Sequence, residues 1–189
     1  IIDNTYDAGV LAINSSINAT NLLVSNCGKN ILLVKGGNYD FTHCTAVSYS
    51  NNYLQHRDPV LVVTNFLNQG GIITSGLNAV FRNCIFWGGA NGLVEDEAVV
   101  LRQGNSTFNV LFNQVLWRNQ TNPQNSAIMG PVDLNPLFDS INASEPFYSF
   151  RLKQNSPALN KGVNTSVLID LDGNPRPTGL PDLGAYERQ

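Results

Sequence analysis

Charge is scarce in this 189-residue chain: Asp, Glu, Lys and Arg supply 13% of it and the formal net charge is −3. The few Lys and Arg residues are scattered, so no basic stripe invites a nucleic-acid backbone. Long apolar runs are missing too, and none approaches the ~20 residues that a membrane-spanning helix needs. Residues that favour helix are few: four Glu and four Lys stand against 26 Asn, which prefers turns and bends. No apolar stripe of 3.6-residue period is present. The three cysteines, an odd number, do not make a disulfide framework.

What is present is a repeated phrase of seven residues, seen at 21–27, 38–44, 78–84 and 109–115. Each copy begins with Asn, has an apolar residue fourth, carries Asn, His or Gln sixth, and ends in Cys or Val. Short apolar runs precede the copies, at 10–13, 31–34, 60–63 and 98–101, separated by about 21, 29 and 38 residues. A chain that repeats the same strands cannot bury any of them alone and must stack them.

Within the phrase the fourth and seventh positions are three apart, whereas a flat strand puts only even spacings on one face. Both point inward only if the chain turns a corner at the sixth position, where Asn tolerates a left-handed backbone. The expectation is an all-β fold, a right-handed parallel β-helix of at least four coils over 1–130, with an irregular C-terminal wrap over 131–189. Asn26, His43, Asn83 and Gln114 are expected as a ladder of corner residues, beside an inward column of Cys27, Cys44 and Cys84. A single column of thiols offers no tetrahedral set, so no metal or other cofactor is expected there. The opening Ile1-Ile2-Asp3-Asn4 reads as the tail of a coil, so missing N-terminal coils of the same protein are expected as a neighbour, with self-association through the open end as a risk.

After residue 130 the idiom changes to short apolar pieces between Pro, Gly and Asn: Asp133-Leu-Asn-Pro-Leu-Phe138, Phe150-Arg-Leu152, Asn155-Ser-Pro-Ala-Leu-Asn160, Asp170-Leu-Asp-Gly-Asn-Pro-Arg176 and Pro181-Asp-Leu-Gly-Ala-Tyr-Glu187. These strings resemble the carboxy-terminal end of secreted β-helix repeat proteins of Bacteroidetes and related bacteria, the choice-of-anchor Q domain proteins. The upstream Asn83-Cys-Ile-Phe-Trp-Gly-Gly89 fits the coils of that family. The resemblance implies an exported or cell-surface bacterial protein; it implies a pectate-lyase-like shape, and no particular reaction.

Two long insertions leave consecutive repeats at the same corner, 45–59 and 85–97. They carry Tyr53, His56, Arg57 and Asp58 in one, Trp87 and Glu95 in the other. Parity places Trp87 and Arg118 outward on adjacent strands, where an aromatic ring beside a guanidinium suits a sugar. With Tyr53, His56, Arg57, Asp58 and Glu95 they are the expected carbohydrate contacts. Phe86 and Trp117, of opposite parity, are expected in the core. No pair of carboxylates is placed for glycoside hydrolysis. Asp170, Asp172 and Asn174 alternate like the first ligands of a calcium loop, but the required Gly and closing Glu are both Pro, Pro175 and Pro181. Pairing of Arg176 with Asp182 or Glu187 explains those acids better.

The function expected is thus a non-catalytic part of an exported β-helix protein facing polysaccharide. A polysaccharide lyase or glycoside hydrolase, and a structural spacer or adhesin stalk, are the alternatives.

Overall fold

The computed structural model describes residues 1–51, 54–89, 93–142, 147–177 and 179–189, with no helix among them. Sixteen strands follow in order: β1 (Ile2–Asp3), β2 (Ala8–Thr20), β3 (Leu23–Ser25), β4 (Lys29–Thr42), β5 (Thr45–Ser48), β6 (Leu61–Thr64), β7 (Phe66–Asn68), β8 (Ile72–Thr74), β9 (Leu77–Arg82), β10 (Ile85–Gly88), β11 (Ala98–Leu101), β12 (Phe108–Asn113), β13 (Leu116–Trp117), β14 (Ala127–Met129), β15 (Phe138–Asn142) and β16 (Phe147–Leu152). Pairing is mostly parallel. A first sheet runs β1-β3-β5-β10-β13, and a second, curled sheet contains β2, β4, β6, β9, β11, β12 and β14.

The curl arises because β2 and β4 each bend midway, at Asn14 with φ 46° and at Lys35–Gly37 with φ 62°, 81° and 122°. Before the bend, β4 pairs with β6; after it, β4 pairs with β9. Each strand thereby stacks on its equivalent in the next repeat, which is what the varied intervals between apolar runs demand.

Inward positions form columns. Phe41, Phe81 and Phe112 are in register, with ring centroids 5.5 and 5.0 Å apart and nearly parallel planes. Phe86 and Trp117 meet this column edge-on and are buried. Their T-shaped approach suits the opposed charge distributions of ring face and edge.

The corner ladder is shifted by one corner at its first step. Leu23 is in register with Thr45, so Asn21, not Asn26, precedes His43, and Leu22, not Cys27, precedes Cys44. Two Asn corners five residues apart caused the ambiguity: Asn21 and Asn26 both have φ 50°. Asn26 turns the chain at the far end of the first sheet, where its Oδ1 accepts from the Tyr49 amide at 2.9 Å. Cys27 is buried near Val24 and Gly9. His43, Asn83 and Gln114 share the left-handed corner, with φ 55°, 53° and 52°. Cys44 and Cys84 stack beside them; each thiol donates to carbonyls of its own and the preceding repeat, and burial pushes the Cys84 thiol up.

The first sheet is buried on both faces. Its outward residues Leu23, Val47, Ile85, Trp87 and Leu116 pack against Phe138, Phe150, Leu152, Ala158, Leu183, Ala185 and Tyr186. The antiparallel pair β15–β16 and the segment after it therefore form a second layer. This explains why β5 and β10 carry no polar-out alternation and are buried throughout.

The corner ladder holds that layer in place. Asn21 donates to the Ile169 carbonyl at 2.8 Å, and Asn83 exchanges bonds with Val163 at 2.8 and 2.9 Å. Gln114, with its amide oriented to satisfy both partners, donates to the carbonyls of Gly130 and Lys161 at 3.0 and 3.1 Å. Arg176 pairs with Glu187 at 2.9 Å and also reaches Asn21 and the Gly184 carbonyl.

Gly184, with φ 88°, lies where a Cβ would stand 2.7 Å from Thr45 Oγ1 and 2.8 Å from Ile85 Cδ1. Gly184→Ala is expected to destabilise by about 2 kcal/mol. A urea melt followed by tryptophan fluorescence checks this, and an unchanged midpoint counts against the close fit.

Candidate functional site

Trp87 does not face solvent. Its outward parity is correct, but the second layer covers it and leaves it 8% exposed. Arg118 stands next to it, since Phe86 is in register with Trp117. The guanidinium turns away to Glu97 Oε1 at 2.5 Å and the Val94 carbonyl at 3.0 Å. The expected sugar platform of Trp87 and Arg118 is therefore corrected to an interior contact, because parity reveals a residue's face and not what lies over it.

Glu97 is the centre of that interior. Its carboxylate is fully buried and meets His56 Nε2 at 2.9 and 3.1 Å, Arg118, and the Val60 amide at 3.3 Å. The three charge-bearing groups arrive from an insertion, the start of β11 and the end of β13, and so tie three segments together. Among their expected neighbours, Arg57, Asp58 and Glu95 are exposed and point elsewhere; Arg57 bonds Gln55 Oε1 at 2.5 and 2.8 Å. Tyr53 lies outside the described residues. Asp96 instead receives the amides of Gln120 and Thr121.

The acidic stretch near the C-terminus does not form a cation cage. Asp170 Oδ1 accepts the amides of Asp172 and Asn174 at 2.9 and 2.7 Å, and its Oδ2 accepts the Glu187 amide at 2.8 Å. Asp172 pairs with Arg151 through two bonds of 2.6 Å. Among the described residues no group of His, Cys, Asp or Glu is placed to hold a metal ion.

The exposed polar surface lies elsewhere, on the outer face of the second sheet after its bend. Ser16, Asn38, Asn78 and Asn109 occupy one register position on neighbouring strands, and all four are exposed. Hydrogen-bonded strands place the amides of Asn38, Asn78 and Asn109 and the Ser16 hydroxyl about 4.8 Å apart. Two residues on, exposed Asn18 and half-exposed Asp40, Val80 and Leu111 form a column, followed by Thr20, Thr42, Arg82 and Asn113. Arg82 Nη1 grips both oxygens of Asp40 at 2.9 and 2.8 Å.

The face runs at one end into an open groove of about 610 Å³ lined by Asn78, Val80, Arg102, Phe108, Asn109, Leu111 and Asn125. There the Arg102 guanidinium sits 5.5 Å over the Phe108 ring. The sequence signals this face in three of the four phrases: Asn38, Asn78 and Asn109 each stand three residues before an inward Phe, and odd spacing within a strand means the opposite side.

No family model matches this chain, no curated protein matches it, and no solved structure matches it.

Proposed function

We infer that the stacked strands belong to a right-handed parallel β-helix. The chain is then a non-catalytic part of an exported, cell-surface bacterial protein of the choice-of-anchor Q kind, presenting a polysaccharide-binding face. The observation that carries the reading is the exposed register column of Ser16, Asn38, Asn78 and Asn109. An amide offers a donor and an acceptor side by side, which matches vicinal sugar hydroxyls, and a column of them meets a polymer at each strand. The neighbouring Arg102–Phe108 pair adds an apolar plane with a cation, and a rigid sheet loses little entropy on binding.

Hydrolysis or elimination is the weaker reading. A hydrolase needs two carboxylates across a cleft. On this face the described strands carry one, Asp40, and Arg82 holds both its oxygens. Glu97 is fully buried and engaged.

The test is binding of the chain to a panel of neutral and acidic polysaccharides. The double variant Asn78→Ala with Asn109→Ala is expected to weaken binding about tenfold, ~1.4 kcal/mol, while leaving the melt unchanged. Trp87→Ala should lower stability instead. Silence across the whole panel removes the glycan assignment, and release of unsaturated or reducing ends revives the enzymatic one.

A further inference from the structure

The repeat that follows β11 does not retrace it. Asn119 comes back to the start of β11, but the chain then leaves the wall and regains it only at Ala127, opposite Leu111. This shortcut omits a rung and leaves a groove of about 340 Å³, lined among others by Phe66, Val100, Arg102, Thr121, Pro123 and Asn125. Its walls are internal segments of the chain.

The backbone of β11 has a fixed polarity beside this groove. Leu61 on β6 donates to the Glu97 carbonyl at 2.9 Å, which turns Glu97 and Val99 toward β6 and leaves Ala98 and Val100 facing the other way. The Asn119 side chain meets Ala98: its Oδ1 accepts the Ala98 amide at 3.0 Å and its Nδ2 donates to the Ala98 carbonyl at 2.9 Å. Asn65 closes on Gln103 in the same manner, and Asn83 on Val163. In each case the N–H and C=O of one residue are satisfied by a donor and an acceptor held side by side. Val100 offers the same pair to the groove, and among the described residues no group meets it. Only 3% of Val100 is exposed, so water reaches little of that pair and a ligand group there gains the more.

We propose that this groove is a subsite for a neutral sugar unit with two free vicinal hydroxyls, one donating to the Val100 carbonyl and the other accepting from the Val100 amide. The assignment rests on the glycan reading of the neighbouring face and names the sugar class it takes. The groove shares Arg102 and Asn125 with the cleft at the end of the Asn column, so one polymer reaches both. Other substituents satisfy the pair less well. A carboxylate has no proton for the Val100 carbonyl. An acetamido group is a trans amide whose N–H and C=O point opposite ways, so it meets only one of the two. An extended peptide needs a run of alternate edge residues, and Asn119 already closes the one at Ala98. A hydroxyl both donates and accepts, so a vicinal pair meets both groups. A 1,4-linked hexopyranose keeps such a pair at every unit, whereas a 1,3-linked one keeps it only at the chain end.

Calorimetry of the 189-residue chain with 1,4-linked and 1,3-linked glucan oligosaccharides of equal length is expected to favour the 1,4-linked series about tenfold, the worth of two hydrogen bonds. Amide exchange is the direct measure: Val100 should gain protection with the 1,4-linked oligomer and none with the 1,3-linked one. Val100→Pro removes the amide while sparing the bonds to β6, and should lower the 1,4-linked affinity to that of the 1,3-linked series. If this variant does not fold, exchange at Val100 in the unaltered chain decides. Equal affinity for both linkages, an unprotected Val100, or protection by an extended peptide alone overturns the subsite and leaves the glycan reading of the Asn column intact. Binding of neither series also overturns it, and the glycan reading is then judged separately by the polysaccharide panel and the double Asn variant.

Discussion

Replacing His43 with Asn should flatten the acid limb of the stability curve. His43 is fully buried at a left-handed corner, its Nε2 lies 3.0 Å from Asn83 Nδ2, and the backbones of Gly184 and Asp182 approach its ring. Burial above all, with help from the nearby Arg176 guanidinium, lowers its pKa from 6.5 to about 3. The folded state thus keeps the imidazole neutral where the unfolded chain takes up a proton, so stability falls as pH drops from 6.5 toward 3. By pH 4 this costs about 3 kcal/mol.

Asn fits the site, since Asn21 and Asn83 occupy the same column with φ 50° and 53°. His43→Asn should therefore match the parent within about 1 kcal/mol at pH 7 and exceed it at pH 4. Glu187, whose carboxyl is raised by burial, acts in the opposite sense and is common to both proteins. Urea midpoints at pH 7, 5 and 4 decide the matter: curves that stay parallel would mean that His43 is not the group that titrates.

The second large effect is expected at Glu97. Glu97→Ala leaves the buried His56 ring and the Arg118 guanidinium without their shared carboxylate, and removes the acceptor for the Val60 amide. Breaking a buried ion pair by deleting one partner costs about 3 to 5 kcal/mol, which is a large share of what a domain has in reserve. Glu97→Gln keeps the shape and part of the hydrogen bonding, so it should lose less. The tight fit of Gly88 supports this: a Cβ there would lie 2.0 Å from Glu97 Oε1 and 2.4 Å from His56 Nε2. Chemical melts of both variants test the claim. A loss below about 1 kcal/mol for Glu97→Ala would show that the cluster contributes little.

In the same cluster three neighbouring acids have three different environments. Glu95, Asp96 and Glu97 are adjacent, yet one is exposed, one caps a neighbouring turn and one is the buried hub. Burial of Glu97 depends on His56 and Arg118, 41 and 21 residues away, and no local pattern encodes those meetings. By contrast, the inward places of Phe41, Phe81, Phe86, Phe112 and Trp117 were legible, since strand parity and the corner fixed them locally. The register of the first repeat is not local, because two Asn corners, Asn21 and Asn26, follow one another closely and both have φ 50°.

By itself, then, the amino-acid order determined an all-β chain of stacked parallel strands with Asn-type corners and an aromatic column, because bends and side-chain alternation are properties of neighbouring residues. The tertiary structure alone decided which outward faces meet water. The segment after residue 130 folds back over the first sheet and is fastened by Asn21, Asn83 and Gln114, taking Trp87 out of reach. Among the described residues nothing covers the second sheet beyond its bend in this way, and its Asn column is exposed. Apolar columns on both sides of the first sheet draw a covering layer through burial, whereas the polar column of the second gains nothing from one.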